Sequence, residues 1–515
     1  MVADDQVSLC GPFVVIHIHN IKVGYMSSEV IEKSSGHPKG LFVLFGAEMF
    51  ERVCYYGMRG LLTLYLVKAL MVGDKAAFGI YGAYTALVYA APVVGGKLAD
   101  TIIGYKRAVI FGGLLMALGE FMILGGNEFW LFAGMGVIIV GNGFFKANIS
   151  TIVGKLYKDG DPLRDAGFTI FYMGINLGAL LATVAVAPLG EVFGFNIGFA
   201  LAGVGMIVGV VVFLIGQPRL QGIGEVPDPA KYKKWGPAVY IGSFLVVPVL
   251  FILLKNNDIV GLILGLVAVI VFTTLIIEAF KGGDRVKRDR LFALMIMMVF
   301  NVTFWACFEQ AGSSLTLFAD RNIDRNVFGL FTMPASQTQF FNPAFILIFG
   351  SIFTWMWVYL DKKGINPNTP AKFGWGIIQL GCGYLMVKVF SGFVSPEFQL
   401  PLLTLFFLYM LHTTGELFLS PIGLSMVTKL APKHMTGTAM GAWFLSFAAS
   451  NYLAAFIAKF SGGEGDAAEG AVLTASESLG NYMALYTKMG MITIAVGVFL
   501  LILSRPLNKL FHGVK

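Results

Sequence analysis

The chain is divided into runs of about 20 apolar residues, the length an α-helix needs to cross a hydrocarbon layer roughly 30 Å thick. Six such runs lie near 41–68, 77–100, 105–125, 129–153, 165–188 and 195–216. Two follow near 236–254 and 259–280, after the polar stretch Gln217 to Lys234. Six more lie near 291–318, 339–360, 371–391, 398–430, 437–459 and 482–503. The pattern predicts an all-α integral membrane protein with fourteen transmembrane helices, arranged as two six-helix bundles with two extra helices between them. Hydrophobic residues make up 57% of the 515 residues and charged ones 13%, against about 45–50% and 25% in soluble chains. That leaves too little polar surface to cover a soluble fold, so the lipid bilayer is the expected outer solvent. Soluble enzymes and disorder are excluded for the bulk of the chain.

The net charge of +7 does not point to nucleic acid, because the basic residues fall in short clusters between apolar runs. Lys106, Arg107, Lys155, Lys158, Lys231, Lys233, Lys234, Arg285, Lys287, Arg288, Lys362, Lys363, Lys429 and Lys433 all follow every second helix. The positive-inside rule then puts both termini in the cytoplasm, in the cell (inner) membrane. The segment near 461–481, with Glu464, Asp466, Glu469 and Glu477 and no Lys or Arg, belongs outside. Expected boundaries are a cytoplasmic tail over 1–39, a first bundle over 40–216, a linker with the two extra helices over 217–289, a second bundle over 290–505 and a tail over 506–515.

Charge inside a membrane costs about 2.5 to 3.5 kcal/mol per residue on insertion scales and marks a functional site by default. The first helix carries Glu48-Met-Phe-Glu51-Arg52-Val-Cys-Tyr55-Tyr56-Gly57-Met-Arg59. Glu48, Arg52, Tyr56 and Arg59 share one helical stripe, with Glu51 and Tyr55 alongside. The fourth helix holds Lys146 and the fifth Asn176; the first helix of the second bundle holds Trp305 and Glu309, and a later one holds His412, Glu416 and Ser420. Cations thus come mainly from one half, and the carboxylates Glu309 and Glu416 from the other. His412 reads as a structural residue. Two pairings across the halves are expected: Lys146 with Glu416, each the lone charge of its helix region, and Arg59 with Glu309.

The segment Gly96-Lys-Leu-Ala-Asp100-Thr-Ile-Ile-Gly104-Tyr-Lys-Arg107 resembles the loop motif of the major facilitator superfamily, which implies the major facilitator fold. Four further motifs, in order, resemble the proton-dependent oligopeptide transporter family: Glu48 to Arg52 with the following Tyr-Tyr-Gly, Phe171 to Gly178, Phe304 to Gln310, and Gly415 to Pro421. The resemblance covers about residues 37–505, and the two extra helices match the bacterial type. It implies a symporter that imports di- and tripeptides with protons by alternating access.

Carried over by position, Glu48, Glu51, Arg52 and Lys146 match residues tied to proton coupling, to which Glu309 is added. Arg59 and Lys146 match positions near the peptide carboxylate, and Asn176, Asn342 and Glu416 positions near its amino group. Tyr56, Tyr89, Tyr172, Trp305, Ser420 and Trp443 match pocket-lining positions. One departure stands out: where animal members carry a proton-coupling histidine on the second helix, this chain has Gly82. The carboxylates of the first helix must then carry the proton. The alternative on the same scaffold is a carrier of another small solute such as nitrate, for which Glu416 has no use. An embedded enzyme has little to build on, since HExxH, GxxxxGK[ST] and CxxC are all missing from the chain and no cofactor or metal is implied.

Overall fold

The structure is a computed structural model that describes residues 36–158, 161, 163–462 and 474–514. It separates into two units, Met1–His37 and Pro38–Lys515; among the described residues all regular structure lies in the second. The expected tail over 1–39 falls largely outside the described residues, and Lys39 opens the first helix. The acidic residues Glu464, Asp466 and Glu469 of the expected outer loop also lie outside them. Glu477, by contrast, sits in the first turn of a helix, where it forms a capping box with Thr474.

The long helices are α1 (Lys39–Leu64), α2 (Asp74–Ile103), α3 (Tyr105–Ile123), α4 (Glu128–Lys155), α5 (Arg164–Phe193), α6 (Phe195–Leu220), α7 (Pro229–Lys255) and α8 (Asn257–Phe280). They continue with α9 (Arg285–Gly312), the short α10 (Ser314–Asn322), α11 (Ser336–Lys362), α12 (Thr369–Phe393), α13 (Leu403–Leu430), α14 (Thr436–Ser461) and α15 (Ala475–Leu510). Twelve of these are long and apolar enough to cross a membrane. The other two expected spans, α1 and α3, are helical but carry too much charge to qualify on that measure: Glu48, Glu51, Arg52 and Arg59 in one, Lys106, Arg107 and Glu120 in the other.

Two hydrophobic cores organise the packing. One draws on residues between Leu41 and Leu264 with Ala448, the other on residues between Leu275 and Phe511 with Leu64 and Phe78. The exchanged residues mark where the halves meet. The inserted helices α7 and α8 expose most of their apolar surface, with only 22% and 17% of their spanning windows buried, as helices facing lipid do.

Two departures from the sequence reading bear on the site. The run near 291–318 was expected to be one helix, but α9 tightens into a 3₁₀ turn over Glu309–Gly312, and the chain breaks at Ser313 (φ −123°, ψ −98°) before α10 begins. Tertiary bonds cause the break. Thr63 Oγ1 donates to the carbonyl of Gly312 at 2.7 Å, and Gln310 Nε2 donates to the carbonyl of Ala454 at 2.8 Å. Gly312 permits the approach, since a Cβ there would lie 1.8 Å from the Tyr81 hydroxyl. The last helix is also longer than its apolar run, 36 residues from Ala475 to Leu510, because its polar ends project past the apolar layer.

At Gly82 the halves approach closely, and a Cβ there would sit 2.1 Å from the Cβ of Ala455 in α14. No histidine fits without moving α2 off α14. Gly82→Val should therefore destabilise the fold by about 1–3 kcal/mol through overpacking, read as a lower thermal unfolding midpoint in detergent; an unchanged midpoint would show that the two helices do not meet there.

Candidate functional site

The stripe on α1 is buried on all sides: Glu48, Glu51 and Arg52 are each no more than 1% exposed. Arg52 lies between the two carboxylates. Its Nε is 3.4 Å from Glu48 Oε1, its Nη2 donates to Glu51 Oε1 at 2.5 Å, and a second bond from Nε to Glu51 Oε2 completes a fork. The guanidinium also lies over the rings of Tyr55 and Tyr56, 5.1 and 5.9 Å from their centroids. Asn142 of α4 donates its amide to Glu51 Oε1 at 3.0 Å. Glu51 is thus held by three donor contacts, while one oxygen of Glu48 has no partner. The two carboxylates are unequal, and Glu48 is the less satisfied as an anion.

Lys146 stands one turn beyond Asn142, with its ammonium 5.7 Å from the centre of the Tyr89 ring. The expected pairing of Lys146 with Glu416 is not present. Glu416 instead accepts from Asn342 Nδ2 at 2.9 Å, and that amide also reaches Thr413 Oγ1 at 3.1 Å. The charges that act on Lys146 come from its own half, Arg52, Glu51, Glu48 and Arg59. Among the described residues Glu416, 7% exposed, has no cation within ion-pair distance, and Lys146 has no carboxylate. The cause is local satisfaction: an asparagine one helix away stabilises the carboxylate without a charge, and an aromatic face does the same for the ammonium.

The second expected pair is present. Arg59 Nη2 forms an ion pair with Glu309, and Arg59 Nε donates to the Tyr81 hydroxyl at 2.5 Å. Further bonds at this end also cross from the first half to the second. Arg321 forks onto Asp74 at 2.5 and 2.9 Å, Lys68 meets Asp320 at 2.7 Å, and Glu191 accepts from the backbone N–H groups of Ala335 and Ser336 at 3.1 and 2.8 Å.

Between these charge groups lie aromatics. Phe447 of α14 stacks on Tyr89 (6.0 Å between centroids), lies 5.2 Å from Trp305 and 6.3 Å from Trp443, and so joins an aromatic of one half to two of the other. The Trp305 indole donates to Asn301 at 3.1 Å. Tyr56 lies between Arg52 and Arg59, 5.7 Å from the latter. Asn176 gives its amide to the carbonyl of Tyr172 at 3.0 Å.

Several of these residues were not singled out from the sequence: Tyr81, Asn142, Phe447, Glu191, the Asp74–Arg321 and Lys68–Asp320 pairs, and Glu120. Asn142 and Phe447 each stand one turn from a residue that was named, so a search at i±4 would have found them. Glu120 breaks an apolar run as plainly as Glu48 does. It is fully buried in α3, where one oxygen faces the Cys54 thiol at 3.6 Å and the other has no partner. Among the described residues no group of three His, Cys, Asp or Glu is placed to hold a metal ion.

Comparison with known proteins agrees with this geometry. The family model described as POT family matches residues 106–463. The chain belongs to the POT family. It is 36% identical over 495 residues to an uncharacterized transporter of Bacillus subtilis (strain 168), covering 93% of this chain and 96% of that one. It is 33% identical over 486 residues to dipeptide and tripeptide permease B of Xenorhabdus bovienii (strain SS-2004), covering 92% and 96%. A crystal structure of a peptide transporter POT in complex with sulfate superposes with a TM-score of 0.80 at 35% identity, covering 93% of this chain and 96% of that chain. A mutant of that transporter in complex with alafosfalin gives the same TM-score and identity. The fold is therefore that of POT transporters, and the chain is a membrane transporter.

In this POT family chain the Arg59–Glu309 contact is testable by charge exchange. Arg59→Glu and Glu309→Arg should each reduce substrate uptake severely, since breaking a buried pair costs about 3–5 kcal/mol, and the double reversal should recover part of the loss. A double variant no better than the singles in an uptake assay would show that the contact does not matter to transport.

Proposed function

We propose that the chain is a proton-coupled importer of di- and tripeptides that works by alternating access between its two halves. The observation that carries this reading is the pair of charges left without an ionic partner: the half-buried Lys146 in the first half and the buried Glu416 in the second. A peptide is a zwitterion whose side chains vary, so a general binder must hold its two termini and tolerate what lies between. A carboxylate offered to Lys146 and an ammonium offered to Glu416 would satisfy both lone charges at once. Nitrate would satisfy only Lys146 and leave Glu416 as it is, which makes that alternative the weaker one. Tyr56, Tyr89, Tyr172, Asn176, Trp305, Asn342, Ser420 and Trp443 are proposed to line the space between, and Arg59 to meet the peptide carboxylate when Glu309 releases it.

Glu48, Glu51 and Arg52 are proposed as the proton site, with Lys146 and Glu309 responding to it. With all four ionised, Glu48, Glu51, Arg52 and Lys146 balance in charge. When a peptide carboxylate occupies Lys146 the balance shifts to negative, and a proton on Glu48 restores it. That links peptide and proton in one step. The Arg59 end, closed by cross-half bonds, is proposed to face the outside, with both termini in the cytoplasm of the cell (inner) membrane.

Uptake of labelled dialanine into proteoliposomes tests the whole reading: accumulation should require an imposed pH gradient, acid outside, and its absence would overturn it. Glu416→Gln should raise the half-saturating dialanine concentration about 30-fold or more, as truncating one partner of a buried charge pair costs about 2–5 kcal/mol. It should also abolish discrimination against N-acetyl-dialanine, which has no ammonium; discrimination retained in full would place the amino group elsewhere. In the double variant Glu48→Gln with Glu51→Gln, peptide exchange should persist but lose its response to pH. If that variant still concentrates dialanine when the outside is acidified, the proton travels by another route.

A further inference from the structure

Away from the central charges, a hollow of about 480 Å³ opens on the outer surface of the first half between α1 and α6, lined by Lys39, Phe42, Val43, Val212, Ile215 and Arg219. Its composition is divided along its length. Lys39 at the start of α1 and Arg219 at the end of α6 are both exposed, and neither forms an ion pair with another described residue. The remaining wall is apolar and open to the surroundings, with Phe42 58% and Ile215 72% exposed. Among the lining residues no acidic side chain balances the two cations.

In a membrane-spanning chain such a face meets lipid, and its charged end lies where the helices leave the apolar layer, on the side rich in Lys and Arg. Two cations at the mouth of an apolar groove complement a molecule with an anionic head and a hydrocarbon tail. A zwitterionic headgroup brings its own cation to the same spot and gains less. The start of α1 adds to the attraction. Pro38 provides no side-chain cap, and the positive end of the helix dipole favours an anion.

We propose that this hollow is a binding site for one anionic phospholipid of the surrounding bilayer, with its phosphate between Lys39 and Arg219 and an acyl chain along Phe42, Val43, Val212 and Ile215. The occupant bridges α1 and α6. Since α1 carries Glu48, Glu51 and Arg52 only about two and a half to three and a half turns beyond Lys39, a lipid at this position braces the helix on which the proposed proton site stands. The assignment does not depend on what the chain transports.

Native mass spectrometry of the full chain in mild detergent tests it, with phosphatidylglycerol and phosphatidylcholine of identical acyl chains as probes. The chain should retain phosphatidylglycerol in preference. At about 1 kcal/mol for each basic residue near an anionic surface, Lys39→Gln with Arg219→Gln should weaken that retention roughly thirtyfold. Lys362→Gln with Lys363→Gln, which removes two cations elsewhere, should change it less than about twofold. Ile215→Trp keeps both cations but fills the groove, and should also release the lipid. Equal retention of the two lipids, loss in the Lys362/Lys363 variant as large as in the Lys39/Arg219 variant, or binding that ignores Ile215→Trp would each overturn the proposal. So would phosphatidylglycerol binding that appears only after residues 1–35 are removed, since the hollow would then belong to the chain's own N-terminal segment.

Discussion

An ionised side chain removed from water must find an opposite charge or a set of hydrogen bonds, and the cost of failing is several kcal/mol per group. This constraint governs the placement of α1. With Glu48, Glu51, Arg52 and Arg59 on a single helix, no face of α1 beyond its first residues tolerates lipid, and nearly every residue from Ala47 to Leu66 is buried. Asn142 and Tyr81 from other helices of the first half, and Glu309 from the second, reach these charges. The inserted helices α7 and α8, with no such requirement, face outward.

The same constraint separates charges that hold the fold from those available for exchange. Arg59 with Glu309, Arg321 with Asp74 and Lys68 with Asp320 are satisfied across the halves and keep that end together. Lys146 and Glu416 are satisfied only by neutral groups, an aromatic ring and an amide. A neutral partner gives way to an ionic one at little loss, because an asparagine or tyrosine left behind can turn to other hydrogen bonds. A carrier needs both kinds: bonds strong enough to define a closed end, and buried charges that a passing zwitterion satisfies better than the protein does.

Phe447 makes the aromatic part of the site depend on how the halves come together. It touches Tyr89 of the first half and Trp305 and Trp443 of its own, so a relative movement of the halves alters the stack on Tyr89 while the other two contacts can travel with it. Gly82 has a related role. At that point backbone proximity between α2 and α14 takes the space a larger side chain would need.

Much of this was legible in the amino-acid order. Apolar runs of bilayer length identify an all-helical membrane protein because lipid leaves the backbone no other way to satisfy its hydrogen bonds. The charges that interrupt those runs identify candidate functional residues because their burial has to be compensated. The pairing of Arg59 with Glu309 also followed, since depth along a helix is a property of sequence position. The partner of Lys146 did not, nor did the break in α9. Both depend on which neutral groups, Tyr89, Asn342 and Thr63, arrive from other helices at hydrogen-bonding or ring-contact distance. Sequence sets how deep each charge lies and on which helical face, whereas its partner is decided by the rotation and spacing of neighbouring helices, which only the packed tertiary structure defines.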